Sequence, residues 1–236
     1  MPSHPIVERA LQQGRTLLTE SESKQVLQSL GIATTLGQVA TSADDAARIA
    51  GTIGFPVVLK ISSPDISHKS DVGGVRLNLQ TADAVRQAYQ DILQSASEKV
   101  PEAHLDGVAV QPMARPGVEV IIGMSKDATF GPVLMFGLGG VLVELLKDVA
   151  FRIVPLSQRD AEEMLHDIKG FPLLQGYRGT PAVNLHALSR ILLTLSDFVA
   201  NTPAIKEIDL NPVYAYDDGA LAVDARLILE APTGST

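Results

Sequence analysis

Two hydrophobic periods alternate along this chain, one near 3.6 residues and one of two, and their order predicts a mixed fold of helices and strands. Val26, Leu27 and Leu30 share one face of a helix predicted over Glu20 to Leu30, with capping candidates between Thr16 and Ser23 and Gly31 as its stop. A short strand near Gly37 to Ala40 is followed by a second helix, where Ala46, Ile49, Ala50 and Ile53 recur at helical spacing. Pro56 to Ile61 is apolar and β-branched, bounded by Gly54 and Pro64, and reads as a short buried strand ending near Lys60. After a polar loop, Val75 to Leu79 alternates as a strand. Thr81 then caps a helix with Val85, Ala88, Tyr89 and Ile92 on one face, and Gly107 to Pro112 is a strand again.

The second half predicts strands at Val118 to Met124 and Val133 to Phe136, a turn at Gly137 to Gly140 and a short helical piece, VLVELLKD. Ile153 to Pro155 is extended, Ser157 caps a helix through Ile168, and KGFPLLQGYRG reads as loop. Asn184 opens the clearest helix, with Leu185, Leu188, Ile191, Leu192, Leu195, Phe198 and Val199 along a wide stripe. Two terminal strands, Ile205 to Tyr214 and Leu221 to Leu229, are joined by a DDG turn in which Gly219 is expected to supply a positive φ. Direct strand-to-strand connections favour two lobes of α+β (α/β) structure over one parallel doubly wound sheet. The expected division is an N-terminal segment 1–19, a first lobe 20–113 and a second lobe 114–236, with a hinge in QPMARPG, Gln111 to Gly117.

Composition narrows the function. With 236 residues, 45% hydrophobic and 19% charged, the chain can bury a substantial core. A net charge of −8 disfavours non-specific binding to nucleic acid or anionic membranes, and 4% aromatic content disfavours a base-stacking platform. No cysteine is present, which removes disulfides, thiolate metal sites and thiol catalysis. No run approaches the ~18 apolar residues of a membrane span, and MPSHPIVERALQQG lacks the pattern of a secretory leader, so a cytoplasmic location is expected.

The chemistry is local. In SSPDISHKSDVGGV, His68 lies in a polar loop rich in serines and closed by Gly73 and Gly74, glycines that let backbone N–H groups approach an anion. Lys60 ends the strand before it. Each also fits a plainer role, a solvated loop histidine and a surface cation. Asp209 and Asn211 in EIDLNPV share a strand face, and Asp224 in LAVDARLIL lies on the paired strand, an oxygen set suited to Mg²⁺ or to a polar hairpin end. Glu119 interrupts the apolar PGVEVIIG, either to accept from a ribose or to orient a lysine, or as an outward strand residue. The GLGG segment lacks the dinucleotide-fingerprint spacing. Beyond it Glu144 and Arg152 are polar candidates, with Arg152 either a phosphate fork or the ion-pair partner of Asp148.

Taken together, PVVLK, SHKSDVGG, VQPM with PGVEVIIG, GLGG running into VELLKDVAFRIVPL, and EIDLNPV with VDAR resemble the ATP-grasp (beta) subunit of the NDP-forming acyl-CoA synthetases. That family includes ADP-forming acetyl-CoA synthetase and is related to succinyl-CoA synthetase. The likeness runs from about Glu20 to Leu229 with the motifs in the family's order. It implies an ATP-grasp fold of two lobes with nucleotide bound between them. It also implies an acid-thiol ligase that interconverts acyl-CoA, phosphate and ADP with acid, CoA and ATP. On that resemblance His68 is the phosphorylated histidine of a mobile loop, 62–75, and Asp209 the acid that steadies it. Lys60 holds nucleotide phosphate, Gln111 to Met113 read adenine through their backbone, Glu119 lies beside the nucleotide, and Asn211 and Asp224 hold Mg²⁺. Beside the resemblance, the Gly73 and Gly74 amides and the Arg152 fork are offered as phosphate contacts by their own chemistry. ATP/ADP and Mg²⁺ are the implied cofactors. The two lobes consume the chain, so a CoA-binding alpha subunit is the expected partner, in an α2β2 heterotetramer. Two other readings stay open at this point: a non-catalytic nucleotide-sensing module, and an ATP-grasp ligase that uses no phosphohistidine.

Overall fold

The computed structural model of the chain describes residues 4–66, 68–140 and 147–231. Its elements begin α1 (Pro5–Gln12), α2 (Glu20–Ser29), β1 (Gln38–Ala40), α3 (Ala43–Ile53), β2 (Val57–Ser62), β3 (Val75–Leu79), α4 (Ala82–Lys99) and β4 (Gly107–Pro112). They continue with β5 (Val118–Asp127), β6 (Gly131–Leu138), β7 (Val149–Ile153), α5 (Gln158–His166), α6 (Phe171–Leu174), α7 (Leu185–Asn201), β8 (Ile205–Ala215), β9 (Ala220–Ala222) and β10 (Arg226–Leu229). Two compact units result, one made of the residues up to Thr34 and those from Pro116 on, the other of Thr35–Arg115.

The Thr35–Arg115 unit is an antiparallel sheet in the order β1-β4-β2-β3. Val57, Leu59 and Ile61 alternate onto the face covered by α3 and α4, where they join Ile49, Val85 and Ile92 in one buried cluster. Ser42 and Thr81 cap the two helices by accepting from Asp45 and Ala84 N–H groups, the satisfaction of orphan donors that makes Ser and Thr preferred there.

The larger unit is an antiparallel sheet in the order β10-β8-β5-β6-β7, with β9 continuing beside β8. One face, with Val120, Ile122, Met124, Leu134, Phe136, Ile208 and Leu210, forms a cluster with Val7 of α1, Leu27 of α2, Met164 of α5 and Leu192 of α7. Residues 20–34 therefore belong with the C-terminal half and not with the first lobe expected from sequence. Leu17 bridges Ile228, Thr34 bridges Ala222, and Val26, Leu27 and Ile32 are buried in the larger unit's core. Period alone tells that α2 is amphipathic; it does not tell which sheet its face meets.

Other differences are local. Within the expected N-terminal segment 1–19, for which no element was predicted, Pro5–Gln12 is helical with Val7 and Ala10 buried. Gly137 lies inside β6, β7 begins at Val149, and Phe171–Leu174 of the expected loop makes one helical turn. Gly219 is not among the positive-φ glycines. The connection from Tyr216 to Gly219 is closed by a Tyr216 N–H to Gly219 carbonyl bond of 2.8 Å, and a four-residue loop of this kind needs no primed turn. The expected helical piece VLVELLKD, with Glu144, lies largely outside the described residues, as does Ser67 of the histidine loop.

Candidate active site

In the smaller unit Lys60 is not a surface cation. Alternation along β2 turns it, with Val58, onto the face opposite α3 and α4, and it is only 5% exposed. It pairs with Ala109 of β4 and Val75 of β3. Gln111 lies on the same face and is 3% exposed, its side-chain oxygen accepting from the Thr35 hydroxyl at 3.3 Å. A Cβ on Gly37 would sit 2.5 Å from Gln111 Cγ, so a glycine is required there for Gln111 to lie as it does. The Met113 N–H donates to the Pro56 carbonyl at 3.1 Å, so this part of the candidate adenine-reading backbone is engaged within the unit.

His68 is exposed, in the excursion between β2 and β3. Both ends of that excursion are strapped: Ile61 N–H donates to the Gly74 carbonyl (2.7 Å) and Asp106 N–H to that of Ser62 (2.8 Å). Gly73 and Gly74 do not offer their amides to an anion in this conformation, because those N–H groups donate to the carbonyls of Ser70 and Lys69. The need for glycine is nevertheless clear. Gly73 has φ 67° and a Cβ there would lie 2.6 Å from Ser95 Oγ, while at Gly74 it would meet Ile61 Cγ2 at 2.5 Å.

In the larger unit the register gathers a second group. Val120 and Ile122 face the core, so Glu119 and Gly123 face away from it, and their cross-strand partners Tyr214 and Asp209 share that open face. Where Val120 pairs with Val213 and Ile122 with Leu210, β8 carries one residue more than β5. The bulge leaves Asn211 exposed and Pro212 half-buried, both outside the core alternation. Val213 pairs with Ala222 and Asp209 with Arg226; the same register carried between them sets Asn211 opposite Asp224, which lies in the break between β9 and β10. Val223 N–H donates to the Pro212 carbonyl across that break, and Asp224 Oδ1 accepts from Ala225 N–H at 2.9 Å. Among the described residues no three His, Asp or Glu side chains form a metal cage. The amide and carboxylate oxygens of Asn211 and Asp224 are nonetheless the hard donors that Mg²⁺ accepts when phosphate and water supply the rest.

Glu119 has two supports that sequence did not reveal. The Tyr214 hydroxyl donates to it, and burial first, then the Glu119 charge and that hydrogen bond, raise the Tyr214 phenol above its ordinary pKa. Gly139 N–H donates to the Glu119 carbonyl at 2.7 Å, and at Gly140, φ 63°, a Cβ would stand 2.8 Å from Glu119 Oε2. The GLGG turn is thus a close cover for Glu119. A strict two-residue period counted from Asn211 would have turned Tyr214 into the core; the bulge reverses it. Arg226 was also missed: it bonds Glu207 at 2.6 Å and stands 3.9 Å from Asp209 Oδ2.

Arg152 is not brought to this group. It pairs with Leu134, whose side chain is in the core, so Arg152 sits at the helix-covered side of the sheet edge. There its guanidinium bonds Asp167 at 2.5 Å. Its partner is not Asp148 either, whose carboxylate accepts from the Lys169 and Gly170 N–H groups at 2.7 Å each.

A two-unit antiparallel framework carrying these motifs is that of a nucleotide-dependent phosphoryl-transfer domain, and the model of the ATP-grasp domain family matches residues 9–229. The chain belongs to the ATP-grasp family, in its branch of ADP-forming acetate-CoA ligases and their beta subunits. It is 46% identical to the acetate-CoA ligase [ADP-forming] I subunit beta of Pyrococcus furiosus, over 95% of this chain and 96% of that one. It is 42% identical to acetate-CoA ligase [ADP-forming] I of Archaeoglobus fulgidus, over 95% of this chain but 32% of that longer protein. The dinucleotide forming acetyl-coenzyme A synthetase 1 of Ca. Korarchaeum cryptofilum, solved with coenzyme A, Ca-AMPCP and HgCl+, matches with TM-score 0.92 and 46% identity, over 95% of this chain and 98% of that one. The same enzyme, solved with coenzyme A and Mg-AMPPCP and with its phosphohistidine segment pointing towards the nucleotide binding site, matches with TM-score 0.83 and 44% identity, over 95% and 98%.

Proposed function

We propose that this chain is the nucleotide-binding subunit of an ADP-forming acyl-CoA synthetase of acetate type, with the reaction acyl-CoA + phosphate + ADP = acid + CoA + ATP. The observation that carries the reading is His68, exposed on a loop whose two stems are strapped beside the strand of buried Lys60. A neutral imidazole is a competent nucleophile near neutral pH. His68 would take a phosphoryl group from an acyl phosphate, forming an N–P bond as the acyl phosphate P–O bond breaks and the acid leaves. It would then pass the group to a terminal oxygen of ADP, breaking the N–P bond and leaving the ring neutral.

Such transfer asks chiefly for positioning and charge neutralisation. Lys60 and the Gln111 to Met113 strand end are supplied by one unit; Glu119, Asp209, Asn211 and Asp224 by the other. Asn211 and Asp224 would hold Mg²⁺, which when bound neutralises phosphate charge. Asp209, with Arg226 beside it, is suited to orient a phosphorylated imidazole. Coenzyme A and the acyl group fall to a separate CoA-binding alpha subunit, in an α2β2 assembly that works in the cytoplasm.

Incubation of the chain and its partner with γ-labelled ATP and Mg²⁺ should give an acid-labile, base-stable phosphoprotein, absent in His68→Ala. Labelling and turnover that persist in that variant would overturn the carrier role.

A further inference from the structure

The sequence suggests a loop with little to hold it; the structure shows a clamped one. On its N-terminal side Ile66 is 6% exposed in the small unit's core, and Asp65 Oδ2 accepts from the His104 N–H at 2.7 Å. On the C-terminal side Lys69 to Gly74 folds into a turn closed by Asp71 N–H to His68 carbonyl, Gly73 N–H to Ser70 carbonyl and Gly74 N–H to Lys69 carbonyl bonds. Two carbonyls of that turn point at α4. Ser95 Oγ donates to the Val72 carbonyl and Lys99 Nζ to that of Asp71, both at 2.7 Å. Ser95 and Lys99 are four residues apart, one above the other on a single helix face.

We propose that Ser95 and Lys99 are positioning residues: a latch on α4 that holds the His68 loop in the conformation seen and whose release sets how often the loop opens. This deepens the reading of His68 as a carrier and rests on it for its catalytic consequence. A carrier must leave one site to reach another. Here it cannot do so as a free flap, because the bonds from α4 and the packing of Ile66 and Val72 must first give way. Gly73 fits the same account, since any side chain there would wedge between the turn and Ser95 and spring the latch.

Opening is read directly by amide exchange over residues 68–74 and by tryptic cutting after Lys69, measured on the full chain with its partner subunit. Ser95→Ala and Lys99→Met each remove one donor while α4 keeps its fold. Loss of one ordinary hydrogen bond should speed exchange in the loop roughly five-fold, with α4 amides unchanged, and Lys99→Arg should restore protection. In the same variants the KM for ADP should stay near its original value while kcat changes, and the ratio of His68 labelling from γ-labelled ATP to labelling from acyl-CoA and phosphate should shift. Unchanged loop exchange in both variants, or equal acceleration throughout α4, overturns the latch. Faster exchange in a protein whose His68 never takes label would leave the latch standing and remove the carrier reading instead.

Discussion

Lys60 is only 5% exposed, and a buried ammonium is costly unless its charge is met by a partner. Lys60→Met keeps the stem and removes the ammonium, so it should weaken ATP and ADP binding by about 1.5–3 kcal/mol, the size of a charge-assisted contact. Calorimetry that finds an unchanged affinity returns Lys60 to a structural role. Asp224 lies opposite Asn211 at the β8 bulge, and the two would hold Mg²⁺, which when bound supplies charge neutralisation to nucleotide phosphate. Asp224→Ala should therefore reduce nucleotide affinity in the presence of Mg²⁺ far more than in its absence; equal losses under the two conditions would refute a metal role. Lys60, Asp209, Asn211 and Asp224 were legible as candidates because each is a polar residue set into an apolar pattern, and His68 because it stands in a serine-rich loop closed by two glycines. Tyr214 and Arg226 were not, since their placement follows from a bulge and a cross-strand register that a single strand does not display.

At the level of single elements, the start of α2 shows how local chemistry and burial combine. Thr19 and Glu22 form a capping box, and Arg15 grips the Glu22 carboxylate with bonds of 2.9 and 2.7 Å. Burial by itself would raise the Glu22 pKa, but the Arg15 and Thr19 hydrogen bonds outweigh it and hold the carboxyl below its ordinary value. A carboxyl depressed in the folded state is more readily protonated when unfolded. Its stabilisation is present above the ordinary carboxylate range and lost as pH falls through the folded value. Glu22→Ala should cost about 1–2 kcal/mol at pH 7, a difference that shrinks in acid. Denaturant melts showing the same cost at pH 7 and near pH 3.5 would contradict this. Two residues further, Lys24 is 1% exposed and bonds Glu20 at 2.6 Å. Nothing in a polar helix face marks such a pair for the interior.

At the scale of the molecule, no helix among the described residues is long and apolar enough to cross a membrane. On the proposed reading, acyl-CoA chemistry falls to a CoA-binding subunit. The isolated chain should bind ADP yet form no ATP from acyl-CoA and phosphate, and adding a CoA-binding subunit should restore turnover. Sedimentation of the reconstituted enzyme should give two copies of each subunit. ATP formation by this chain alone, or a different stoichiometry, would remove the corresponding part of the proposal.

What the sequence determined by itself was the kind and order of most elements and which residues stand as candidates for chemistry. Thr81, Ser157 and Asn184 cap the helices expected of them, a bounded run of apolar β-branched residues located β2 and alternation located β3, because these signals are local to a few residues. Only the tertiary structure decided that residues up to Thr34 pack with the C-terminal sheet, that Arg152 turns towards Asp167 and away from Glu119, and that the His68 loop is fastened to α4. Each of these depends on which distant strand or helix a face meets. A one-residue shift in pairing reverses every side chain beyond it, and no pattern confined to one segment encodes the partner across the sheet.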